Sequence, residues 1–291
     1  MTLDFDALAM HWRRTFLVFV CARPEALEEG PWLAAALRGA WGRQLLAMAA
    51  HEHQGARHRR RADPFGRASA LEVFFREHAH LTPRLAVPKP FVIAIESDAG
   101  AVRITLTLFG VAGFWRRDAR DAMMAALAAG LPLRGDGRLR RRYDLTDVYW
   151  GRSESVSVPE PARQVLLRLR TPLCLRASGA IENNLDDLGM SLVNRLSGLA
   201  RWQGVRIDTD WGGWRERSKR VRATLDHAGF HAGRRHSSAQ PGREIPHVGL
   251  TGTIRLEGPL GPFMPLLALG ETAHAGARAA FGFGAYELLV Y

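Results

Sequence analysis

The chain has 291 residues, 47% hydrophobic and 9% aromatic, so it can bury one large core or two ordinary ones, and general disorder is not expected. A formal net charge of +11 argues for polyanionic partners, nucleic acid first among them. No apolar run reaches the ~18 residues of a membrane span, and MTLDFDALAMHWRR has acids where a secretory signal carries bases, so a soluble, cytoplasmic protein without membrane contact is expected.

Along the chain, TFLVFVCA (15–22) is β-branched and aromatic and predicts a strand. Leu33, Leu37, Trp41 and Leu45 then recur every four residues and predict an amphipathic helix. Residues 51–67 turn polar around RHRRR and read as an exposed basic loop, while the period of ALEVFFREH decides nothing. FVIAIES and VRITLTLFGV flank Asp98-Ala99-Gly100, a hairpin signal. RRDARDAMMAALAAG predicts a helix closed by Gly130, and RRRYDLTDVYWG a last strand.

A linker at Pro159 and Pro161 resets the pattern. RQVLLRLRTPLCLRA reads as one strand or a pair, and NNLDDLGMSLVNRLSGLARW as a helix with Leu185, Leu188, Leu192, Leu196 and Leu199 on one face. WRERSKRVRATLDH reads as a second, densely basic helix with Arg215, Lys219 and Arg222 on one side. VGLTGTIRLEG predicts a strand, PFMPLLALGETAH a short helix with proline in its first turn, and AYELLVY the closing strand. The order of elements repeats, and the expected class is α+β: two tandem ferredoxin-like (RRM-like) βαββαβ modules with helical and basic-loop insertions, bounded at 1–158 and 159–291. Cys21 and Cys174 each sit in an apolar run, which fits two buried thiols in a reducing compartment.

RNA-recognition sheets stack bases on aromatics of their central strands, and no comparable run is present. The glycines of HAGARAAFGFGAYEL are more informative. No lysine follows them as in a phosphate loop, and they follow a helix where a dinucleotide fingerprint opens one. Taken alone, such glycines serve tight turns and close backbone approach.

The run GLTGTIRLEGPLGPFMPLLALGETAHAGARAAFGFGAYEL resembles the C-terminal signature of the CRISPR repeat-RNA processing endoribonucleases of the RAMP superfamily: strand, short helix, histidine-glycine turn, then an F-G-x-G loop. WLAAALRGAWGRQL, VPKPFVI and RHSSAQPGREIP fit as well. The resemblance implies an enzyme without cofactor or metal that binds a repeat hairpin and cuts it by attack of a ribose 2′-hydroxyl. The products are a 2′,3′-cyclic phosphate and a 5′-hydroxyl. It further implies that the mature RNA is kept within a CRISPR effector complex, so the expected partners are the repeat RNA and other effector subunits.

The family places a histidine on or just before its first helix, and here this chain departs: between Cys21 and Ala50 it has no histidine, tyrosine or lysine. Arg23 and Arg38 stand in that region and are the catalytic candidates, clamping the scissile phosphate and stabilising the pentavalent state. Arginine is a poor general base, so positioning would carry most of the rate, or both residues only hold RNA and cleavage is lost. An arginine-rich, histidine-free first helix suits a minor CRISPR type, and the type IV branch is the one considered.

Of the 40 basic residues only Lys89 and Lys219 are lysine. A GC-rich genome would give the same excess, but the consequence holds either way: planar, permanently charged forks that suit phosphate and stack on bases. RNA-binding candidates are Arg43, Arg59, Arg60, Arg61, Arg140, Arg141, Arg215, Lys219, Arg222, Arg234, Arg235 and Arg243, together with His274, Gly276, Arg278, Gly282 and Gly284 of the signature. The pairs His51/His53 and His78/His80 lack an evident third and fourth metal ligand and read as polar loop residues, one of which could still reach the scissile site as a base. His274 is expected to hydrogen-bond its own turn. A non-catalytic RNA-binding subunit is the main alternative.

Overall fold

A computed structural model describes residues 1–24, 31–55, 69–76, 87–133, 139–177, 180–181, 185–208, 210–236 and 244–291. The chain divides into two compact units, Arg14–Arg152 and Met1–Arg13 with Ser153–Tyr291, called here the N-terminal and C-terminal modules.

In the N-terminal module, β1 (Arg14–Ala22) alternates so that Leu17, Phe19 and Cys21 point to one side and are fully buried. It pairs antiparallel with β3 (Ala101–Phe109), which pairs antiparallel with β2 (Phe91–Ser97). The β2–β3 turn is tied by the Asp98 carboxylate, whose Oδ1 accepts from the amides of Gly100 at 2.9 Å and Ala101 at 2.8 Å. With β4 (Leu145–Ser153) on the other side of β1, the order is β2-β3-β1-β4.

Two helices cover this sheet. On α2 (Pro31–Gly55), Leu33, Leu37, Trp41 and Leu45 are the buried stripe. On α4 (Arg116–Ala129), Ala119, Ala122, Met123, Ala126 and Leu127 are buried. Trp41 joins the two through an Nε1–H bond to the Ala119 carbonyl at 3.1 Å. Its ring also packs against Phe74, Phe75 and Phe91 at 5.0–5.2 Å. Phe74 and Phe75 belong to α3 (Ala70–Phe75), so the undecided ALEVFFREH is helical at its start; Ser69 and Glu72 close a reciprocal capping box there.

The C-terminal module repeats the plan. Its strands are β5 (Gln164–Leu169), β6 (Arg222–His236), β7 (Glu244–Glu257) and β8 (Tyr286–Val290), in the antiparallel order β6-β7-β5-β8. Counted within each module, both sheets run second-third-first-fourth, the ferredoxin-like order, so the architecture is two tandem βαββαβ modules.

The helices of this module are α5 (Leu188–Leu199), α6 (Trp211–Ser218) and α7 (Met264–Ala273). Leu188, Leu192, Leu196 and Leu199 of α5 are buried as the stripe requires. The helix α7 is buried from Met264 to Gly270. The N-terminal helix α1 (Phe5–Met10) also belongs here: Trp12 donates to Thr272 Oγ1 at 2.9 Å, and Val156 to the Ala9 carbonyl at 2.8 Å. The compact units therefore differ from the bounds 1–158 and 159–291, because the first residues pack on α7 and β4 closes at Ser153.

One sequence expectation is corrected. The basic stretch read as a single helix from Trp214 to His227 divides: α6 ends at Ser218 and Arg222 opens β6. Arg215, Lys219 and Arg222 do not share a helical face. Trp214 and Ser218 are the buried positions of the short helix, and alternation then takes over, with Ala223 and Leu225 opposite Leu256 and Ile254. Beyond a bulge at Asp226–Gly229, β6 and β7 continue past the part of β7 that pairs with β5, from Gly229–Thr251 to His236–Glu244, with Leu250 also bridged to Leu173.

Candidate functional site

The histidine-glycine turn is a locked backbone structure. His274 (φ 60°), Gly276 (φ 72°), Arg278 (φ 63°), Gly282 (φ 81°) and Gly284 (φ 73°) all occupy the left-handed region. Amides of the turn are already committed within the module: Ala275 to Gly284 O at 2.8 Å, Ala277 to Cys174 O at 2.7 Å, Gly282 to Ala279 O at 2.9 Å and Gly284 to Pro172 O at 2.9 Å. A Cβ at Gly284 would stand 1.9 Å from the Ala275 carbonyl oxygen, and one at Gly276 2.4 Å from that of Cys174. All three glycines are buried; at Gly276 and Gly284 glycine identity serves this approach, and at Gly282 it serves the left-handed φ.

His274 is only 4% exposed, and its Nδ1–H donates to the Phe283 carbonyl at 3.2 Å. Burial, then the neighbouring Arg195 charge, lowers its pKa to about 3, against a smaller opposing effect of the Phe283 bond. It is neutral at physiological pH and holds the turn, as expected of it.

Arg195 has no motif to announce it, and sequence reasoning missed it. From α5 it donates Nε–H to the carbonyls of Ala273 (3.0 Å) and His274 (2.9 Å), and Nη2–H to Ala273 (2.7 Å). These carbonyls end α7 and have no onward helical partner. Its polar position one residue before buried Leu196 was the only signal available.

The arginine candidates of the N-terminal module fall into different environments. Arg23 follows β1 and is exposed; its amide donates to Gly100 O at 3.1 Å and its Nη1 to Asp98 O at 2.6 Å, so the β2–β3 turn orients it. Arg38 is half-buried on α2, its Cζ 4.8 Å from the Phe75 ring centroid and 6.0 Å from that of Phe91. Arg43, one turn on, is exposed, and its pKa is lowered by partial desolvation and then by the charge of Arg140. Arg140 holds the end of α4, donating to Gly130 O at 2.8 Å and 3.1 Å, and Arg141 beside it pairs with Leu131.

In the C-terminal module Arg215, Lys219 and Arg222 are all exposed, and Lys219 is salt-bridged to Glu216 at 2.8 Å. Arg234 and Arg235 lie on the distal part of β6, opposite Pro246 and Ile245. Arg278 is half-buried in the turn. Arg59, Arg60, Arg61, Arg243, His78 and His80 lie outside the described residues, as do the side chains of His51 and His53. On the sheet face away from the helices, ion pairs replace stacking aromatics: Arg255 with Asp226 at 2.7 Å, and Arg168 and Arg170 with Glu287. Among the described residues no helix is long and apolar enough to cross a membrane.

Residues 167–286 match the family model of the CRISPR-associated endoribonuclease Cas6. No curated protein matches in sequence. Among solved structures, a Cas6 product complex is similar with a TM-score of 0.55 at 17% identity, over 96% of this chain and 99% of that one. Thermus thermophilus Cas6 is similar with a TM-score of 0.55 at 15% identity, over 96% and 98%. Another Cas6 product complex gives 0.54 at 17%, over 96% and 99%. These identities establish a shared fold, and the signature lies in the module that carries the locked turn. Residues 167–286 thus carry the match to the Cas6 model, and the chain shares the fold of these Cas6 structures over nearly all of its length.

Proposed function

We propose that the protein binds the hairpin of a CRISPR repeat and cleaves the precursor RNA beside it without a metal ion. The observation that carries this reading is the Cas6 signature folded as a locked, buried turn in a chain of net charge +11. In the reaction the ribose 2′-oxygen forms a bond to the adjacent phosphorus as the bond to the 5′-oxygen breaks. The 2′-proton leaves, and the departing oxygen gains one. In-line positioning and cations beside the developing charge lower the barrier.

Arg23 and Arg38 are assigned to the phosphate. Arg23 presents a fork already oriented through the Asp98 carbonyl, and Arg38 a guanidinium set beside the Phe75 and Phe91 rings. Arg43, Arg140, Arg141, Arg215, Lys219, Arg222, Arg234, Arg235 and the basic segments around 59–61 and 243 supply the charge that holds A-form RNA by shape and phosphate. The buried glycines and His274 shape the turn, so their part in binding is indirect. Retention of the cut RNA would make the protein a subunit of a CRISPR effector complex, with the type IV systems as the branch that its first helix suits.

A second reading, an RNA-binding subunit that does not cut, is favoured by one observation. No histidine lies between Cys21 and Ala50, and the buried His274, with a pKa of about 3, cannot serve as a base. Incubation of the purified protein with hairpin repeat RNA in EDTA separates the two. One cut leaving a cyclic phosphate, lost in the Arg23→Ala/Arg38→Ala double variant, supports cleavage at these residues. Tight binding without a cut supports the second reading, and undiminished cutting by the double variant removes the arginines from the active site.

A further inference from the structure

Two tryptophans of the N-terminal module have opposite fates. Trp115, before α4, is 7% exposed, whereas Trp150, on the edge strand β4, is 53% exposed. Half of this indole is open to solvent on an edge strand. It also has company: the Arg116 guanidinium carbon is 5.0 Å from its ring centroid and that of Arg152 is 5.9 Å away. Among the described residues neither arginine is in an ion pair. Two like charges thus converge on one aromatic ring with no carboxylate between them, and an anion is the missing component.

The patch is separate from the Arg23 region. The amide of Ala22 bonds to Asp144 at the start of β4, while Gly151 lies beside Phe16 near the start of β1. The stretch of β1 from Phe16 to Ala22 separates them by about 20 Å at the usual strand rise.

We propose that Trp150, Arg116 and Arg152 form a stacking platform for an unpaired nucleotide in the single-stranded RNA flanking the bound hairpin, the base on the indole and its phosphates on the two forks. The inference rests on the RNA-binding reading above and adds a second contact to it. Chemistry selects the ligand. An acidic peptide would satisfy the arginines and leave the indole unused, whereas a nucleotide offers both a π-face and a phosphate. Unlike RNA-recognition modules, the platform stands at a sheet edge and reads no base edge, so it is sequence-tolerant.

The test measures fluorescence-anisotropy binding of the full-length protein to labelled oligouridine and to a blunt hairpin RNA. Trp150→Ala should weaken oligouridine binding about 10-fold, leave the blunt hairpin unchanged and keep the wild-type melting temperature. Trp150→Phe should recover most of the loss, and Arg116→Ala/Arg152→Ala should flatten the salt dependence for oligouridine. If the wild type binds the hairpin but not oligouridine, or if Trp150→Ala binds both as wild type does, the platform is refuted while hairpin binding stands. Oligouridine binding that depends on Trp150, without hairpin binding, would keep the platform and refute the hairpin reading. Binding of neither RNA would refute both.

Discussion

Arg195 donates from Nε to the carbonyl of His274 at 2.9 Å, so a side chain of α5 fixes the residue at which α7 ends. With its two bonds to Ala273, this guanidinium replaces the partners that a terminating helix lacks. Burial lowers its pKa to about 10, which still leaves it charged at neutral pH. Arg195→Ala would strand two carbonyls and should cost roughly 2–4 kcal/mol in urea unfolding. Arg195→Lys should recover only part, since a single ammonium cannot reproduce the fork. A wild-type unfolding midpoint for Arg195→Ala would show that the turn is held by something else.

The same contact sets an acid sensitivity. His274 has a folded-state pKa of about 3, below its ordinary 6.5, because burial and then the Arg195 charge oppose protonation. The unfolded chain therefore takes up this proton first. The neutral histidine's contribution is complete above about pH 6.5 and is lost as pH falls towards 3, by up to roughly 1.4 kcal/mol per unit. His274→Asn tolerates the positive φ and cannot titrate. Its stability loss between pH 7 and pH 4 should be smaller than that of wild type, and an equal loss would refute the assignment.

The contrast between these two residues and β6 explains what the sequence discloses. His274 stands in a recognisable run, the leucines of α5 repeat on one face, and Asp98-Ala99-Gly100 marks its hairpin; each is a local pattern with a local cause. β6 is not legible that way. Its first residues continue an Arg/Glu/Lys-rich helix, and only the pairing of Ala223 and Leu225 with β7 reveals the period of two. The capping box Ser69/Glu72 was present in the sequence as S-x-x-E, though the period of the residues after it is ambiguous. Arg195 and Trp150 matter through residues distant in sequence, namely His274 and Arg116. No pattern along the chain encodes such pairings.

Gly284 and Gly204 separate crowding from backbone preference. Both have left-handed φ, 73° and 77°, but a Cβ at Gly284 meets the Ala275 carbonyl oxygen at 1.9 Å, while at Gly204 nothing lies within 4 Å. Gly204→Ala should cost about 1 kcal/mol, the ordinary left-handed penalty. Gly284→Ala must move the backbone of the turn and should cost at least about 3 kcal/mol, read from urea midpoints of the two variants side by side. Equal effects would mean that the turn yields easily and is not the locked element described above.

Arg38 and Arg43, on the same helix, should respond differently to lysine. Arg38 lies half-buried, its guanidinium carbon 4.8 Å from the Phe75 centroid and 6.0 Å from that of Phe91, so two rings flank its charge. Lysine keeps the charge but loses the planar, bidentate fork beside those rings. Arg38→Lys should therefore reduce RNA cleavage nearly as much as Arg38→Ala, by about 10-fold or more, a loss of at least ~1.4 kcal/mol in the transition state. Arg43 is exposed, with no ring partner among the described residues, and near the charge of Arg140. There lysine should serve as well as arginine, and Arg43→Ala should reduce the slope of log K against log salt by about one. Single-turnover cleavage and salt-titrated binding of the same RNA check both halves. If Arg38→Lys cuts as wild type does, charge alone suffices at that position, and the arginine fork carries none of the chemistry.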